Sequence, residues 1–215
     1  GATIVATGRN MQKLEATLAE LEGESNVIIS ADLTKPEDIE KISSVVPQLD
    51  GIVHCAGVGC RLPAKMITER DIEAVMNTNF SGTVLLQSGL PKKKKVNKDA
   101  SVVFVASKAA DFPSPGNALY SASKGALISY ARCLSIELAS RGIRVNCICP
   151  AMVWTDLIMQ NEVTEEQLKE SEKAYPLKRY GKPEDIAYLS IYLLSDASSW
   201  MTNSCIDITG GANKL

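Results

Sequence analysis

The sequence predicts an α/β fold in which a parallel sheet is covered by helices on both faces. Short apolar runs rich in β-branched residues alternate with longer helical patterns along the whole chain. Strands in this order need helical crossovers, and these crossovers place helices on the two faces of a parallel sheet. A length of 215 residues and an apolar fraction of 45% suit one domain with a substantial core.

Each element has a local signal. The strand segments are short and apolar, and they are residues 3–6, 27–30, 51–54, 101–105, 144–149 and 205–209. The helix segments carry apolar residues at helical spacing, and they are residues 11–21, 36–46, 68–94, 120–139, 165–173 and 183–194. Capping-box spacing marks three helix starts, at Thr34 with Glu37, Thr68 with Asp71, and Thr164 with Gln167.

The composition argues against several classes of function. A formal charge of −2 is neither the basic footprint of a nucleic-acid-binding protein nor a strongly acidic surface. The lysines at 92–95 are a local exception, which we interpret as a solvated helix end facing the negative end of the helix dipole. Six cysteines without a CxxC pair and a single histidine do not suggest a metal site, so we expect no metal and mostly buried, reduced thiols.

The sequence contains no membrane or targeting signal that we recognise. It lacks a run of about 18 apolar residues, and its first residues do not form a charged leader followed by an apolar stretch. The simplest expectation is a cytoplasmic protein with neither a nucleic acid nor a membrane as partner.

Tyr120 and Lys124, four residues apart, are the strongest sign of chemistry. On a helix they share one face, so the ammonium group is expected to favour the ionised phenol and lower its pKa from the usual value of about 10. Ser107 lies thirteen residues before the tyrosine and could hold a substrate carbonyl against the phenol. Taken alone, the same pattern also fits a packing helix with a buried tyrosine and a snorkelling lysine.

Several dispersed motifs, in order along the whole chain, resemble those of the short-chain dehydrogenase/reductase family. Ser107, Tyr120 and Lys124 fall on the family's catalytic serine, tyrosine and lysine. Asn79, in Asn-Phe-Ser-Gly, falls on its structural and catalytic asparagine. Such a set is hard to reach by chance.

Three further motifs support the resemblance. Residues 54–57, His-Cys-Ala-Gly, match the family's Asn-Asn-Ala-Gly in the last two positions only. The family's Pro-Gly turn is Pro150-Ala151 here, and the chain closes on Asp-Ile-Thr-Gly-Gly at 207–211. The overall pattern is similar to 3-oxoacyl-carrier-protein reductases and to sugar or polyol dehydrogenases, which the sequence does not separate.

The resemblance implies a Rossmann-type, doubly wound, three-layer fold that binds a nicotinamide dinucleotide. Arg9 follows the first strand, where no carboxylate is available to a ribose 2′-hydroxyl, and its planar guanidinium suits a 2′-phosphate. NADP(H) is therefore expected in preference to NAD(H). The other implied cofactor positions are Asp32, Leu33, Ala56, Gly57, Tyr120, Lys124, Pro150, Val153 and Thr155.

These positions also have structural interpretations. Arg9 could be a solvated turn arginine, and Asp32 a turn acid that precedes a helix. Val153 and Thr155 could be a strand exit and a helix cap. Asn79 could simply be a helix-kink or capping asparagine.

One family feature is absent from the sequence. Family members begin with a strand carrying Thr-Gly-x-x-x-Gly-x-Gly, and the resemblance makes residues 1–6 the second strand. In the order 3-2-1-4-5-6 the first strand lies in the middle of the sheet, so its absence would leave backbone groups unpaired on two strands. We expect the natural protein to carry such an N-terminal segment, which makes 1–215 a single, N-terminally incomplete dinucleotide-binding domain.

The implied activity is reversible hydride transfer between the nicotinamide and a carbonyl or alcohol substrate, with 3-oxoacyl thioesters among the candidates. Tyr120 would be the general acid, and Ser107 would orient the carbonyl oxygen. Lys124 would bind the nicotinamide ribose, and Asn79 would hold a water joining it to solvent. Two alternatives stay open: a catalytically silent NADP(H)-sensing regulator on the same fold, and an inert fragment of a pseudo-enzyme.

Residues 152–175 resemble the family's mobile substrate loop. Their apolar side chains would either face the substrate or pack as a local core, and they are Trp154, Leu157, Ile158 and Met159. A carrier-protein partner would need a basic patch, for which the loose candidates are Arg61, Lys65, Lys178 and Arg179.

The helix predicted at 120–139 carries a set of small residues, namely Ala122, Gly125, Ala126 and Ala131. They would let a second helix approach closely, and the resemblance implies a homotetramer, with a homodimer as the fallback. The same residues could equally pack within one subunit.

Overall fold

A computed structural model describes residues 1–112, 114–159 and 164–212. Its strands are β1 (Val5–Gly8), β2 (Val27–Ser30), β3 (Leu49–His54), β4 (Val96–Val105), β5 (Arg144–Pro150) and β6 (Cys205–Ile208). Its helices are α1 (Met11–Glu20), α2 (Pro36–Val45), α3 (Glu69–Met76), α4 (Gly82–Lys92), α5 (Ala118–Leu138), α6 (Asp156–Met159), α7 (Glu165–Glu172) and α8 (Pro183–Leu194). This alternation confirms the predicted α/β class.

The chain divides into two compact units. One comprises residues 1–49 and 81–97, and the other comprises residues 50–80 and 98–215. The strands form two sheets, of order β1-β2 and β3-β4-β5-β6. In the expected family order, the absent first strand lies between the strands that are β1 and β3 here, and these two strands belong to different sheets. The expectation of one dinucleotide-binding domain over 1–215 stays a prediction.

In the first unit, β1 and β2 pair in parallel, with Val5 opposite Val27 and Gly8 opposite Ser30. The first strand begins at Val5, two residues later than predicted. The partner strand sets this start, because the Val27 amide donates to the Ile4 carbonyl at 2.9 Å and the ladder continues from there. The strand therefore follows its hydrogen-bonding register rather than the apolar run alone.

The capping box expected at Thr34 and Glu37 is wrong. Helix α2 begins at Pro36 after Lys35, and the side chain of Lys35 makes no capping hydrogen bond. The Asp32 carboxylate accepts instead from the amide and the hydroxyl of Thr34, at 2.9 and 2.8 Å, which closes an Asx-type turn. The capping boxes predicted at Thr68 and at Thr164 are both present.

Gly82 opens α4 at a close approach to the turn before α2. A Cβ built on Gly82 would lie 2.2 Å from the carbonyl oxygen of Leu33. Because that contact is to backbone, no side-chain rotation could relieve it. The absence of a side chain at Gly82 lets α4 approach this turn.

In the second unit, β4, β5 and β6 run parallel, with Phe104 opposite Cys147 and Cys149 opposite Asp207. Successive strand residues point to opposite faces of a sheet. One face buries Val103 and Ile148 against Leu193 of α8. The other packs Phe104 at 5.9 Å from the Tyr130 ring of α5, so helices cover both faces.

The single helix predicted over residues 68–94 is interrupted. Helix α3 ends at Met76, a π-helical turn covers Asn77–Ser81, and α4 follows. The cause is tertiary: the Asn79 side chain bonds the backbone of Val58, and the wider turn lets it reach that partner. The fourth strand is also longer than predicted, since it begins at Val96 rather than at residue 101.

The six cysteines are free thiols, but the expectation that most of them are buried is wrong. Only Cys147 and Cys149 are buried, while Cys55 and Cys133 are exposed. Across the described residues, no helix is long and apolar enough to cross a membrane.

Gly82→Ala should destabilise the protein by about 1–3 kcal/mol, the usual cost of overpacking, because the new methyl group meets the Leu33 carbonyl. Gly125→Ala on α5 is the matched control, since a Cβ there meets nothing within 4 Å. The control should be neutral or stabilising by up to about 1 kcal/mol from helix propensity. Urea unfolding of both variants checks this, and equal effects would contradict the close approach.

Candidate active site

Ser107 lies two residues beyond the end of β4, at the start of a tight turn. Its Oγ accepts a hydrogen bond from the Ala109 amide at 3.1 Å and begins the 3₁₀ turn Lys108–Ala110. The preceding Ala106 amide donates to the Ile148 carbonyl of β5 at 2.8 Å. Ser107 is 8% exposed, so the sheet and the turn together fix a nearly buried hydroxyl.

The structure brings Ser107 and the Tyr120–Lys124 pair together. Tyr120 hydrogen-bonds Ser107 through its phenol. Both Tyr120 and Lys124 lie in the first two turns of α5, and the Lys124 ammonium is 5.9 Å from the centre of the Tyr120 ring. Lys124 is 4% exposed, and its Nζ donates to the Val105 carbonyl at 2.9 Å. A buried hydroxyl and a buried ammonium therefore meet a partly buried phenol just beyond the end of β4.

Burial governs the protonation of both groups on α5. It raises the pKa of Tyr120, and the hydrogen bond with Ser107 opposes this rise. Burial also lowers the pKa of Lys124 to about 8, opposed by the nearby thiols of Cys55, Cys149 and Cys147. The expected lowering of the Tyr120 pKa is thus wrong for this structure, because desolvation of the phenolate is the largest effect.

Asn79 is fully buried and links two segments of the site. Its Oδ1 accepts from the Val58 amide at 2.7 Å, and its Nδ2 donates to the Val58 carbonyl and to the Ser123 hydroxyl, both at 3.0 Å. The Ser123 hydroxyl donates in turn to the Tyr120 carbonyl at 2.7 Å. Both amide hydrogens of Asn79 are therefore used. A water held between Asn79 and Lys124 stays a prediction.

Ala56 and Gly57 follow β3 and run past the same groups. A Cβ on Gly57 would lie 3.3 Å from both Asn79 Oδ1 and Lys124 Nζ, which is tighter than an ordinary contact. A residue without a side chain leaves room there for two polar groups. The Ala-Gly pair thus lies beside Lys124, where the resemblance implies cofactor contact.

The implied nicotinamide positions lie beyond β5. Pro150 is the last residue of that strand and is opposite Ile208. Val153 forms a bridge with Gly181, and the Thr155 hydroxyl donates to the Val153 carbonyl at 3.3 Å just before α6. These bonds fit the structural interpretation as strand exit and helix start, and the cofactor role stays a prediction.

The implied adenosine positions lie in the first unit. Arg9 is exposed and follows β1 directly. Hydrogen bonds from Thr34 lower the pKa of Asp32, and the charge of Arg9 contributes to this lowering. Asp32 has the turn role considered above, and Leu33 supplies the carbonyl that Gly82 approaches.

Two of the four apolar residues named in the expected substrate loop pack in a local core. Trp154 lies 5.6 Å from the Tyr180 ring, and its Nε1 donates to Glu172 at 2.9 Å. Ile158 is buried with Tyr180 and Tyr175, whereas Met159 is 45% exposed. Trp154 and Ile158 therefore follow the packing alternative. Part of this loop, residues 160–163, lies outside the described residues.

Two of the four residues considered for a basic patch, Lys178 and Arg179, bind groups within this chain, which weakens the case for that patch. Arg179 pairs with both carboxylate oxygens of Asp185, at 2.7 and 3.2 Å, which lowers the pKa of Asp185 to about 2. The Lys178 ammonium donates to the Lys173 carbonyl at 3.1 Å. Arg179 is thus an internal ion-pair partner rather than a free cation.

Sequence reasoning missed Ser123 and the thiols of Cys147 and Cys149. Ser123 immediately precedes Lys124, and its place in the Tyr-Ser-Ala-Ser-Lys run was the available signal. The cysteines are two apart on β5, so both face α5, but only the three-dimensional structure places them near Lys124.

Comparison with known proteins gives one consistent result. The family profile described as enoyl-(acyl carrier protein) reductase matches residues 1–213. The 3-oxoacyl-[acyl-carrier-protein] reductase FabG of Rickettsia felis is 30% identical over 211 residues, which cover 98% of this chain and 86% of that protein. Dehydrogenase/reductase SDR family member 4 of Homo sapiens is 31% identical over 221 residues, which cover 98% and 78%.

Solved structures agree with these relatives. A Brucella melitensis protein described as a short-chain dehydrogenase/reductase, glucose/ribitol dehydrogenase, superposes with a TM-score of 0.91 at 32% identity, covering 98% of this chain and 86% of that one. Levodione reductase superposes with a TM-score of 0.88 at 26% identity, covering 98% and 88%. The Rossmann-type fold is confirmed.

The buried ammonium of Lys124 predicts a pH-dependent stability. Its pKa is about 8 in the folded state against 10.5 unperturbed, so the unfolded chain binds more protons in that interval. The contribution of Lys124 to the free energy of unfolding should grow by about 3 kcal/mol from pH 8 to about pH 10.5, so the difference between the wild type and Lys124→Met should rise by this amount. The raised pKa values of the buried Cys147 and Cys149 thiols lower the stability over the same range in both proteins, so the difference between the two curves is the quantity to compare. Urea unfolding across this range measures it. The exposed-site variant Lys92→Met should follow the wild type, and parallel curves for Lys124→Met would contradict the prediction.

Proposed function

Because the chain belongs to the short-chain dehydrogenase/reductase family, whose members are oxidoreductases, we propose that it is an NADP(H)-dependent carbonyl reductase acting reversibly on carbonyl and alcohol groups. The observation that carries this proposal is the meeting of Ser107, Tyr120 and Lys124 in one nearly buried cluster. A nucleotide sensor has to bind the cofactor but needs no proton donor such as Tyr120 beside the Ser107 hydroxyl. This cluster therefore favours the enzyme over the catalytically silent regulator.

Tyr120 supplies the proton in the proposed reaction. Reduction of a carbonyl needs a hydride at carbon, which a bound nicotinamide supplies, and a proton at oxygen. Because burial raises the pKa of Tyr120, its phenol stays protonated at neutral pH and can donate that proton. The same shift disfavours the phenolate that alcohol oxidation requires. The protonation state therefore favours carbonyl reduction near neutral pH, with oxidation gaining as the pH rises.

Ser107 and Lys124 complete the arrangement. The Ser107 hydroxyl accepts from the Ala109 amide, so its own hydrogen is available to a substrate oxygen or to the phenol. The Lys124 ammonium has three donors, of which one goes to the Val105 carbonyl. The remaining donors fit ribose hydroxyls, which is the role we assign to Lys124 in holding the cofactor.

The residues present fit a nicotinamide dinucleotide. The donors of Lys124 and the small pair Ala56 and Gly57 lie together, and the tight space at Gly57 explains why a side chain is absent there. We assign Arg9 to the 2′-phosphate of NADP(H), since it is an exposed guanidinium directly after β1. Pro150, Val153 and Thr155 are assigned to the nicotinamide end.

The substrate class is a small carbonyl or alcohol compound, and the 3-oxoacyl thioester is the first candidate to test. The Rickettsia felis relative is named as a 3-oxoacyl-[acyl-carrier-protein] reductase, and other similar proteins are named for levodione or glucose/ribitol. The aromatic packing of Trp154 leaves the exposed Met159 and Leu157, beside Gly59, as apolar surface on the loop. Homotetramer assembly and a cytoplasmic location stay predictions.

Tyr120→Phe should lower carbonyl-reductase turnover roughly 100- to 10,000-fold, because the proton donor is removed while the ring is kept. The affinity for NADPH, measured by the quenching of protein fluorescence, should be unchanged. Tyr188→Phe on α8 is the control, since Tyr188 is 70% exposed. NADPH oxidation with a ketone, a diketone and a 3-oxoacyl thioester gives the rates. Full turnover in Tyr120→Phe would remove the residue from this role, and a wild type that binds NADPH without turnover would favour the sensor.

Arg9→Gln should raise the KM for NADPH about 10- to 100-fold, the effect of losing charge-assisted hydrogen bonds to a phosphate. The KM for NADH should stay unchanged, because NADH has no 2′-phosphate. Lys13→Gln is the matched control, since it removes a neighbouring positive charge on α1. An equal loss for both cofactors would show that Arg9 does not set the preference.

A further inference from the structure

Lys108 directly follows Ser107, and its ammonium is held by acidic and aromatic partners. Its Nζ lies 2.5 Å from Asp207 Oδ2, 3.6 Å from Asp111 Oδ2 and 4.4 Å from the centre of the Phe112 ring. The hydrogen bond to Asp207 is the largest cause of the raised pKa of Lys108. Only 12% of the side chain is exposed. The Lys108 ammonium therefore interacts with groups of the protein itself, and we do not assign it a contact with a substrate.

The position of Asp207 is fixed by the pairing of β6 with β5. It lies on β6, directly opposite Cys149 of β5, and the ladder between the two strands continues from Cys147 to Pro150. Lys108 and Asp207 are 99 positions apart in the sequence. The ion pair therefore connects the turn that begins at Ser107 to the edge strand of the sheet.

Ser107 lies between two such connections. On its N-terminal side, the Ala106 amide bonds the Ile148 carbonyl of β5 at 2.8 Å. On its C-terminal side, Lys108 bonds Asp207 of β6. The 3₁₀ turn that follows supplies the Ala109 amide to Ser107 Oγ, so the direction of the hydroxyl depends on where this turn is held.

We propose that Lys108 and Asp207 are positioning residues that aim the Ser107 hydroxyl at the carbonyl oxygen of the substrate. This inference rests on the proposed function, in which Ser107 orients that oxygen. Asp207 is 47% exposed, and ion pairs open to solvent contribute only about 0–1 kcal/mol to stability. Loss of the pair should therefore appear in turnover more than in folding.

Asp207→Asn and Lys108→Met should each lower kcat about 10-fold, less than the roughly 100-fold that an ångström of misplacement can cost. The KM for NADPH and the melting temperature should change little. Lys108→Arg should retain most of the activity, because it keeps the charge opposite Asp207. Glu40→Gln, which removes the ion pair between Glu40 and Lys93 in the other unit, is the control and should keep the wild-type rate.

The Ser107→Ala background separates positioning from a general structural effect. If Asp207 acts through the Ser107 hydroxyl, adding Asp207→Asn to Ser107→Ala should lower kcat no further. If the pair merely supports the fold, the two losses should multiply. Multiplied losses, an unchanged kcat in both single variants, or no retention by Lys108→Arg would overturn the inference.

Amide hydrogen exchange tests the same inference without activity. The Ala109 amide, bonded to Ser107 Oγ, should exchange faster in Asp207→Asn than in the wild type and in Glu40→Gln. An unchanged exchange rate would overturn the inference. An inactive wild type would count against the proposed function alone, since the exchange measurement would still decide whether Asp207 holds the turn.

Discussion

The buried amide of Asn79 is the interaction on which the rest of the site depends. It pairs with both backbone groups of Val58 and donates to Ser123, whose hydroxyl bonds the Tyr120 carbonyl. One side chain thus joins the loop after β3 to the first turn of α5. A buried donor or acceptor left without a partner costs about 1–3 kcal/mol. The loop after β3, the π-helical turn and the start of α5 therefore keep their arrangement together.

The site contains a buried ammonium group, that of Lys124, and burial disfavours its charged form. Lys124 is nearly inaccessible, and burial lowers its pKa to about 8 even though the Val105 carbonyl accepts one of its hydrogens. The Tyr120 phenol is disfavoured in its ionised form for the same reason. Such perturbed groups cluster at functional sites because chemistry needs protonation states that folding alone would not select. Burial therefore favours the neutral forms of both groups.

The segment that follows β5 combines a packed and an exposed part. Glu172 accepts from the Trp154 indole and from the Tyr180 amide, at 2.9 and 3.1 Å, which holds an aromatic cluster under the loop. Helical spacing of apolar residues predicted either a core or a substrate surface, and two of the four side chains, Trp154 and Ile158, pack as core. Ile158 packs in this aromatic cluster, and the next residue, Met159, is exposed. The apolar area that the described part of this segment leaves exposed is thus smaller than its composition indicates.

The sequence by itself determined the features that depend on neighbours a few residues apart. The ends of β2 and α8, the capping box at Thr68 and the shared face of Tyr120 and Lys124 all follow from local hydrogen bonds and helical periodicity. The tertiary structure alone decided the π-helical turn at Asn79, the direction of the Tyr120 pKa shift, and the pairing of Lys108 with Asp207, 99 positions away in the sequence. The reason is physical: burial and the partner of a polar side chain depend on groups that are remote in the chain, and no local pattern encodes them.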